Sequence, residues 1–89
     1  MAETDVPAGW TADEASWRRT YRFASFAEAL AFMVEIGTYC EKVDHHPDWS
    51  NSYDRVAVTL TTHDAGGVTD KDRQLARRMD AVFGRSSRA

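Results

Sequence analysis

Hydrophobic residues recur at every second position in two segments of the chain, which is the period of a half-buried β-strand. In residues 16–23, one side carries Trp17, Arg19, Tyr21 and Phe23. In residues 56–62, alanine and threonine alternate with Val56, Val58 and Leu60. Shorter strand patterns at residues 10–12 and 49–53 precede the two longer ones. The alternation therefore predicts two hairpins.

Between the two hairpins the hydrophobic spacing changes to three and four, which predicts an amphipathic helix over residues 26–43. Ser25 and Glu28 have the spacing of a capping box at its start. Pro47 discourages extension of the helix past His46. The hydrophobic band consists of two rows: Phe26, Leu30, Met33, Gly37 and Cys40, and beside it Phe32, Ile36, Tyr39 and Val43.

A second helix is predicted to close the chain. Gly66 and Gly67 end the preceding strand pattern, and Thr69 and Asp72 then repeat the capping-box spacing. Gly84 suits the C-terminal end of this helix. The hydrophobic stripe of the helix is formed by Leu75, Ala76, Met79, Val82 and Phe83.

The predicted order is strand, strand, helix, strand, strand, helix. This order indicates an α+β fold, with two layers: a four-stranded antiparallel sheet and both helices packed on one of its faces. We expect one domain over residues 9–84, a flexible N-terminal lead at 1–8 and a frayed C-terminus at 85–89. One face of the sheet would lack a cover, which an antiparallel sheet tolerates. The free sheet edges favour self-association.

Composition narrows the possible classes of function. The chain has 89 residues, enough for one domain, and a net charge of −3. A general binder of nucleic acid or of anionic membranes is therefore not expected. Residues 70–89 nevertheless carry six basic against three acidic side chains, a local balance of +3. We interpret this basic end as a solvated helix face, and a docking patch for an anion is the alternative.

Cys40 is the single cysteine, which rules out an intramolecular disulfide and a cysteine-rich zinc site. Its position in the hydrophobic band favours a buried small hydrophobic residue over a reactive thiol. The chain opens without the pattern of a signal peptide, and its hydrophobic runs are shorter than the ~20 residues of a membrane span. We expect a cytoplasmic protein.

The three histidines supply the candidate chemistry. His45 and His46 follow the predicted end of the first helix, and strict alternation places His63 at the end of the last predicted strand. Imidazole has an ordinary pKa close to neutrality, so a histidine cluster is typical of proton transfer or of metal binding. Adjacent histidines usually point apart, which makes a three-histidine metal site awkward. The sequence therefore favours general acid–base catalysis, without a metal.

Acidic and aromatic residues near the histidines complete a candidate pocket. Glu41 and Asp44 are close enough in sequence to orient a neighbouring imidazole, and Asp72 could approach from the second helix. Trp49 and Tyr53 are expected to provide flat walls for a planar ligand. Such a pocket suits protonation of a leaving hydroxyl together with removal of a proton elsewhere on the ligand.

The motif Glu41-x-x-Asp44-His45-His46-Pro47-x-Trp49, followed by Tyr53 and then by Thr62-His63, resembles the signature of the pterin-4a-carbinolamine dehydratase family. The continuation Asp64-Ala65-Gly66-Gly67-Val68-Thr69-x-x-Asp72 is similar to the family as well. The likeness spans roughly residues 9–83. A His-His-Pro-x-Trp motif with Thr-His at this distance is much more specific than a pair of histidines.

The resemblance implies a cofactor-independent dehydratase whose substrate is a pterin. Members of the family dehydrate 4a-hydroxytetrahydrobiopterin or a related pterin, which recycles the cofactor of aromatic amino acid hydroxylases. By the resemblance, His45 and His63 would be the acid–base pair, and His46 would mainly bind and position the substrate. The implied substrate-binding positions are Glu41, Asp44, Pro47, Trp49, Thr62, Asp64, Ala65 and Asp72.

The family also implies a homo-oligomer, either a dimer or a tetramer. It includes relatives that have lost the dehydratase activity, among them assembly factors for rubisco. In animals, the dehydratase itself has a second role as a dimerisation cofactor of a homeodomain transcription factor. A non-catalytic binding or assembly protein is therefore the alternative function. The presence of all three histidines in this chain favours the enzyme.

Overall fold

The computed structural model describes residues 6–85, which form four strands and two helices in the predicted order. The strands are β1 (Thr11–Ala12), β2 (Trp17–Arg22), β3 (Asp48–Ser52) and β4 (Arg55–Leu60). The helices are α1 (Phe26–Val43) and α2 (Asp70–Arg85), and a single 3-10 turn (His63–Ala65) lies between β4 and α2. The prediction of an α+β fold is confirmed.

All the strands pair antiparallel in the order β1-β2-β4-β3, so the two hairpins meet along β2 and β4. Tyr21 of β2 lies opposite Val56 of β4, and both side chains are completely buried on the face that the helices cover. Thr20 and Ala57 form the next pair and face the other way, where they are exposed. The alternation along the strands thus separates a helix-covered face from an open one, as predicted.

The core lies between the covered face of the sheet and the two helices. Aromatic rings dominate its centre, since Tyr21, Phe23 and Phe32 are buried with ring centroids 4.9–6.4 Å apart. Helix α1 turns Ala29, Phe32, Ile36 and Cys40 inward. Helix α2 turns Asp72, Leu75, Ala76, Met79 and Val82 inward. Cys40 is buried as predicted, and this burial raises the pKa of its thiol.

Both ends of α1 have a local cause. Ser25 has an extended backbone, and its hydroxyl accepts a hydrogen bond from the Glu28 N–H at 3.1 Å. At the other end Asp44 adopts a left-handed backbone with φ 56°, and its N–H bonds to the Cys40 carbonyl. The helix therefore has the predicted bounds, but it is Asp44, three residues before Pro47, that ends it.

Two sequence predictions need correction at the edges of the elements. The strand predicted over 56–62 ends at Leu60, because the chain turns into the 3-10 turn that follows. Helix α2 continues through Gly84 to Arg85 instead of stopping at the glycine. In the predicted flexible lead, Val6 packs against the core and the Pro7 carbonyl accepts from the Trp10 N–H. Residues 1–5 and 86–89 lie outside the described residues.

Within residues 6–85, neither helix is long and apolar enough to cross a membrane.

Candidate active site

Three segments meet at one end of the sheet: the exit of α1, the turn after β4 and the first turn of α2. They surround a cavity of about 310 Å³. The left-handed Asp44 redirects the chain as α1 ends, which carries His45 and His46 to the cavity. The cavity is lined by Asp44, His45, His46, Thr61, Thr62, His63, Asp64 and Lys71. The structure thus brings the three predicted histidines together.

Asp72 lies behind the cavity wall and is completely buried. Its Oδ1 is 2.6 Å from His45 Nε2, and its Oδ2 accepts hydrogen bonds from the Thr62 hydroxyl at 2.7 Å and the Thr69 N–H at 3.0 Å. The hydroxyls of Thr62 and Thr69 are themselves 2.8 Å apart. We call these four residues the Asp72 cluster. A buried carboxylate is costly unless it is paired and hydrogen-bonded, and both of its oxygens are occupied here.

Only one of the two hydrogen bonds of the capping box predicted at the start of α2 forms. The Asp72 carboxylate does accept from the Thr69 N–H, as the box requires. The Thr69 hydroxyl, however, is paired with the hydroxyl of Thr62. The capping carboxylate is therefore also the partner of His45, which joins the start of the helix to the candidate site.

The three histidines differ in their surroundings. The His45 side chain is only 11% exposed and is fixed by Asp72. His46 is 54% exposed, and its Nε2 lies 3.3 Å from the Glu41 carboxylate, which is itself at the surface. His63 is exposed and begins the 3-10 turn. Its backbone carbonyl accepts a hydrogen bond from the Gly66 N–H at 3.1 Å. Only His45 is thus held rigidly by a buried partner among these three.

Some residues predicted for the pocket lie outside its lining. Trp49 pairs with Val58 in the sheet and packs against the hydrophobic core. Pro47 is half-buried between His46 and β3, and the Ala65 N–H donates to the Thr62 carbonyl within the 3-10 turn. Tyr53 is 70% exposed in the β3–β4 turn, at the opposite end of β4 from His63. The prediction that Tyr53 forms a wall of the pocket is wrong.

Three residues at the site were missed from the sequence. Thr61 lines the cavity while its hydroxyl donates to the Ala15 carbonyl at 2.7 Å. Lys71 lines it from the first turn of α2 and adds a cation next to the histidines. Thr69 was expected only to cap α2. Of these three, only Lys71 had a signal in the sequence that could have placed it at the site. It is the neighbour of Asp72, which was expected near the histidines at the start of the same helix.

A second carboxylate cluster lies further along α2. The Asp80 carboxylate accepts from Trp10 Nε1 at 3.1 Å, from Arg19 Nη1 at 2.9 Å and from the Tyr21 hydroxyl. The Arg19 guanidinium stacks 4.5 Å from the centre of the Tyr21 ring. Burial, followed by the hydrogen bond to Asp80, raises the pKa of Tyr21. We call Asp80, Trp10, Arg19 and Tyr21 the Asp80 cluster; it joins the N-terminal segment to the sheet and to α2.

A larger cavity, of about 370 Å³, lies away from the histidines. It is lined by Gly9, Thr11, Arg18, Arg19, Thr20, Ala57, Val58 and Thr59. Its only ionisable side chains are arginines, which stay protonated and cannot exchange a proton near neutrality. Within residues 6–85, no three His, Cys, Asp or Glu side chains are grouped so as to hold a metal ion. The smaller, histidine-lined cavity is therefore the better candidate for chemistry.

Comparison with known proteins assigns the chain to a family. Residues 1–82 match the family model described as pterin 4 alpha carbinolamine dehydratase. A provisionally named pterin-4-alpha-carbinolamine dehydratase of Mesorhizobium japonicum is 56% identical over 72 residues, which are 81% of this chain and 74% of the relative.

Two solved structures share the fold. One is a transcriptional coactivator/pterin dehydratase from Brucella melitensis, with a TM-score of 0.84, 43% identity, and coverage of 86% of this chain and 84% of the other. The other is a pterin dehydratase-like protein identified as a RuBisCO assembly factor in the alpha-carboxysome, with a TM-score of 0.71 and coverage of 88% and 89%. At 24% identity, the latter likeness concerns the fold alone.

Proposed function

Since the chain belongs to the pterin 4 alpha carbinolamine dehydratase family, we propose that it dehydrates 4a-hydroxytetrahydrobiopterin, or a related pterin carbinolamine, to the quinonoid dihydropterin. The proposed mechanism is general acid–base catalysis by histidine. The observation that carries it is the position of His45, which lines the cavity and is paired at 2.6 Å with the buried Asp72.

The reaction requires two proton transfers on neighbouring atoms of the substrate. The bond between C4a and the hydroxyl oxygen breaks with its electron pair on oxygen, and an acid protonates that oxygen so that it leaves as water. A base removes the proton from N5, and the nitrogen lone pair forms the C4a–N5 double bond. A positioned side chain contributes typically ~10²–10⁴-fold to each such transfer. Two histidines in opposite protonation states can serve both steps.

The lining of the cavity supports a distribution of roles. His45 and His63 are proposed as the acid–base pair, and His46, more exposed and next to Glu41, as a residue that binds and positions the pterin. Asp44, Thr62 and Asp64 offer polar groups along the same lining. Asp72 acts on His45 and does not contact the substrate itself. The pterin is the substrate, so the proposed reaction uses no further cofactor.

In the cell, we propose that this reaction recycles the tetrahydropterin of an aromatic amino acid hydroxylase and that the protein works in the cytoplasm as a homo-oligomer. Self-association is supported by a hydrophobic row on α1, where Phe26, Leu30 and Val34 are 44%, 46% and 62% exposed. Their spacing of four places them on one face of the helix. Replacing Val34 with Lys should shift the elution volume of the protein towards that of the monomer.

Stopped-flow absorbance tests the proposed activity directly. A chemically generated 4a-hydroxytetrahydropterin is mixed with the protein, and formation of the quinonoid product is compared with the reaction in buffer. We expect clear acceleration by the native chain and a loss of a few hundred-fold for His63→Ala, within the ~10²–10⁴ range of a lost acid–base group. Full activity of that variant would remove His63 from the mechanism. A folded native chain that gives no acceleration would contradict the proposal and favour a binding or assembly role.

A further inference from the structure

The hydrogen bonds of the Asp72 cluster have a direction that can be deduced from their donors. The Thr69 N–H can only donate, so Oδ2 of Asp72 is an acceptor. Hydrogen bonds donated to Oδ2 stabilise the ionised carboxylate, which has no proton of its own to give. The Thr62 hydroxyl therefore donates its single proton to Oδ2. The Thr69 hydroxyl, 2.8 Å from that of Thr62, must then be the donor of their pair.

This chain of donors decides which oxygen of Asp72 faces the histidine. Oδ2 is held by two donors, one of them a backbone N–H at the start of α2, whose position the helix fixes. Oδ1 is thereby left to His45 Nε2 at 2.6 Å. An ionised oxygen at this distance requires a proton on the nitrogen that it meets. A neutral imidazole carries one proton on one of its two nitrogens, so the proton of a neutral His45 would be on Nε2.

We propose that the Asp72 cluster holds His45 as the Nε2–H tautomer and that Nδ1 is the atom at which His45 exchanges a proton with a ligand in the cavity. The consequence for catalysis rests on the proposed dehydratase function. If His45 is the acid, its imidazolium gives the Nδ1 proton to the departing 4a oxygen. If it is the base, Nδ1 takes the N5 proton. In both cases the proton on Nε2 remains bonded to that nitrogen and hydrogen-bonded to Oδ1 of Asp72.

Nitrogen-15 NMR of histidine-labelled protein measures the tautomer without any turnover. Two-bond correlations from the ring protons distinguish a protonated from an unprotonated nitrogen, and a titration between about pH 5 and pH 9 covers the ordinary range of imidazole. The chain has three histidines, so His46→Gln and His63→Gln assign the His45 signals by elimination. We expect the neutral His45 ring to carry its proton on Nε2. A neutral ring protonated on Nδ1, or a ring that stays doubly protonated throughout, would overturn the proposal.

Asp72→Asn provides a stronger test, because it should invert the tautomer. The Asn carbonyl oxygen must accept from the Thr69 N–H and the Thr62 hydroxyl, which turns the amide NH₂ towards His45 Nε2. Nε2 would then become the acceptor and the ring proton would move to Nδ1. Asp70→Asn is the matched control, because it makes the same change of charge in the same helical turn. The Asp70 carboxylate pairs with Arg73 at the surface and does not contact the Asp72 cluster. An Nε2–H ring in the folded Asp72→Asn variant, or inversion in the control, would contradict the proposed cause.

The tautomer and the activity can fail separately. A native chain that accelerates dehydration but holds His45 as the Nδ1–H tautomer overturns this inference and leaves the proposed function standing. A native chain with the Nε2–H tautomer and no acceleration of dehydration overturns the catalytic role assigned to Nδ1 together with the proposed function, while the assignment of the tautomer stands.

Discussion

Helix α2 contributes two buried or partly buried carboxylates, Asp72 and Asp80, and their partners give them different uses. Asp72 is paired with a histidine that lines a cavity. Asp80 is paired with an arginine, a tyrosine hydroxyl and an indole N–H. Imidazole exchanges a proton near neutral pH, whereas arginine and indole do not, and the pKa of Tyr21 is raised further from neutrality. The same acidic side chain therefore supports chemistry in one cluster and architecture in the other.

The two clusters also differ in what they hold in place. The Asp72 cluster joins the exit of α1, the turn after β4 and the start of α2, which are the three segments around the cavity. The partners of Asp80 in the Asp80 cluster lie between 59 and 70 positions before it in the sequence. The cluster therefore fastens the N-terminal segment across the sheet to α2. Loss of the first cluster should reduce activity, and loss of the second should reduce stability.

The largest effect is expected for His45→Ala, which removes the histidine of the Asp72 cluster. The dehydration rate should fall by ~10²–10⁴-fold, because an acid–base group is lost while the rest of the cavity remains. Stopped-flow kinetics measures the rate, and circular dichroism checks that the variant is folded. A folded variant with a rate near that of the native chain would remove His45 from the mechanism and abolish the contrast between the clusters.

Asp80→Asn should lower the free energy of unfolding by ~1–3 kcal/mol, since the amide presents donors where the indole, guanidinium and phenol donors need an acceptor. For a domain of this size, each kcal/mol corresponds to about 4–8 °C in Tm. Thermal unfolding followed by circular dichroism measures the shift. An unchanged Tm would mean that the N-terminal segment is held by packing alone.

Alkaline pH should weaken the Asp80 cluster through Tyr21. Because the pKa of Tyr21 is raised in the folded state, the folded chain keeps a proton that the unfolded chain releases above about pH 10. Its contribution to stability is complete below that pH and decreases above it, by up to ~1.4 kcal/mol per pH unit. Urea unfolding at several pH values should show this slope in the native chain and a shallower one in Tyr21→Phe. Equal slopes would mean that Tyr21 titrates normally.

The smallest effect is expected when a glycine beside either cluster is replaced with alanine. The loss of Tm should be larger for the glycine beside the Asp80 cluster. Gly9 and Gly66 both have a positive φ, which costs a residue with a side chain ~1–2 kcal/mol. A Cβ on Gly9 would also lie 2.7 Å from Arg19 Nη1, while a Cβ on Gly66 would meet open space. Gly9→Ala should therefore lower the Tm more than Gly66→Ala. The reverse order would show that Arg19 moves aside without cost.

The parts of the fold that depend on local patterns could be predicted from the sequence. The bounds of α1 follow from the capping serine and the spacing of its hydrophobic residues, and the strand faces follow from strict alternation. Strict alternation beyond Leu60 predicts that His63 ends a strand, but the chain leaves the sheet at Leu60 and His63 begins the 3-10 turn. Tyr53 is close in sequence to the histidines, but the full length of β4 separates its turn from the cavity.

The two carboxylate clusters could be predicted only in part. Asp72 was recognised as a capping residue and as an acidic residue near the histidines, but its complete burial depends on donors from Thr62 and Thr69. The Asp80 cluster was missed, because no local pattern joins residues so distant in the chain. Such contacts are set by how the elements pack, which hydrophobic periodicity alone does not specify.

The dehydration rates of Asp72→Asn and Asp80→Asn, measured side by side with the native chain, test most directly whether only the first cluster supports chemistry. Both variants replace a carboxylate of α2 with the same amide. We expect the rate of folded Asp72→Asn to fall by ~10²-fold or more, and that of folded Asp80→Asn to stay within a few-fold of the native rate. Equal losses in the two variants, or a native chain no faster than buffer, would contradict the division of roles between the two carboxylates.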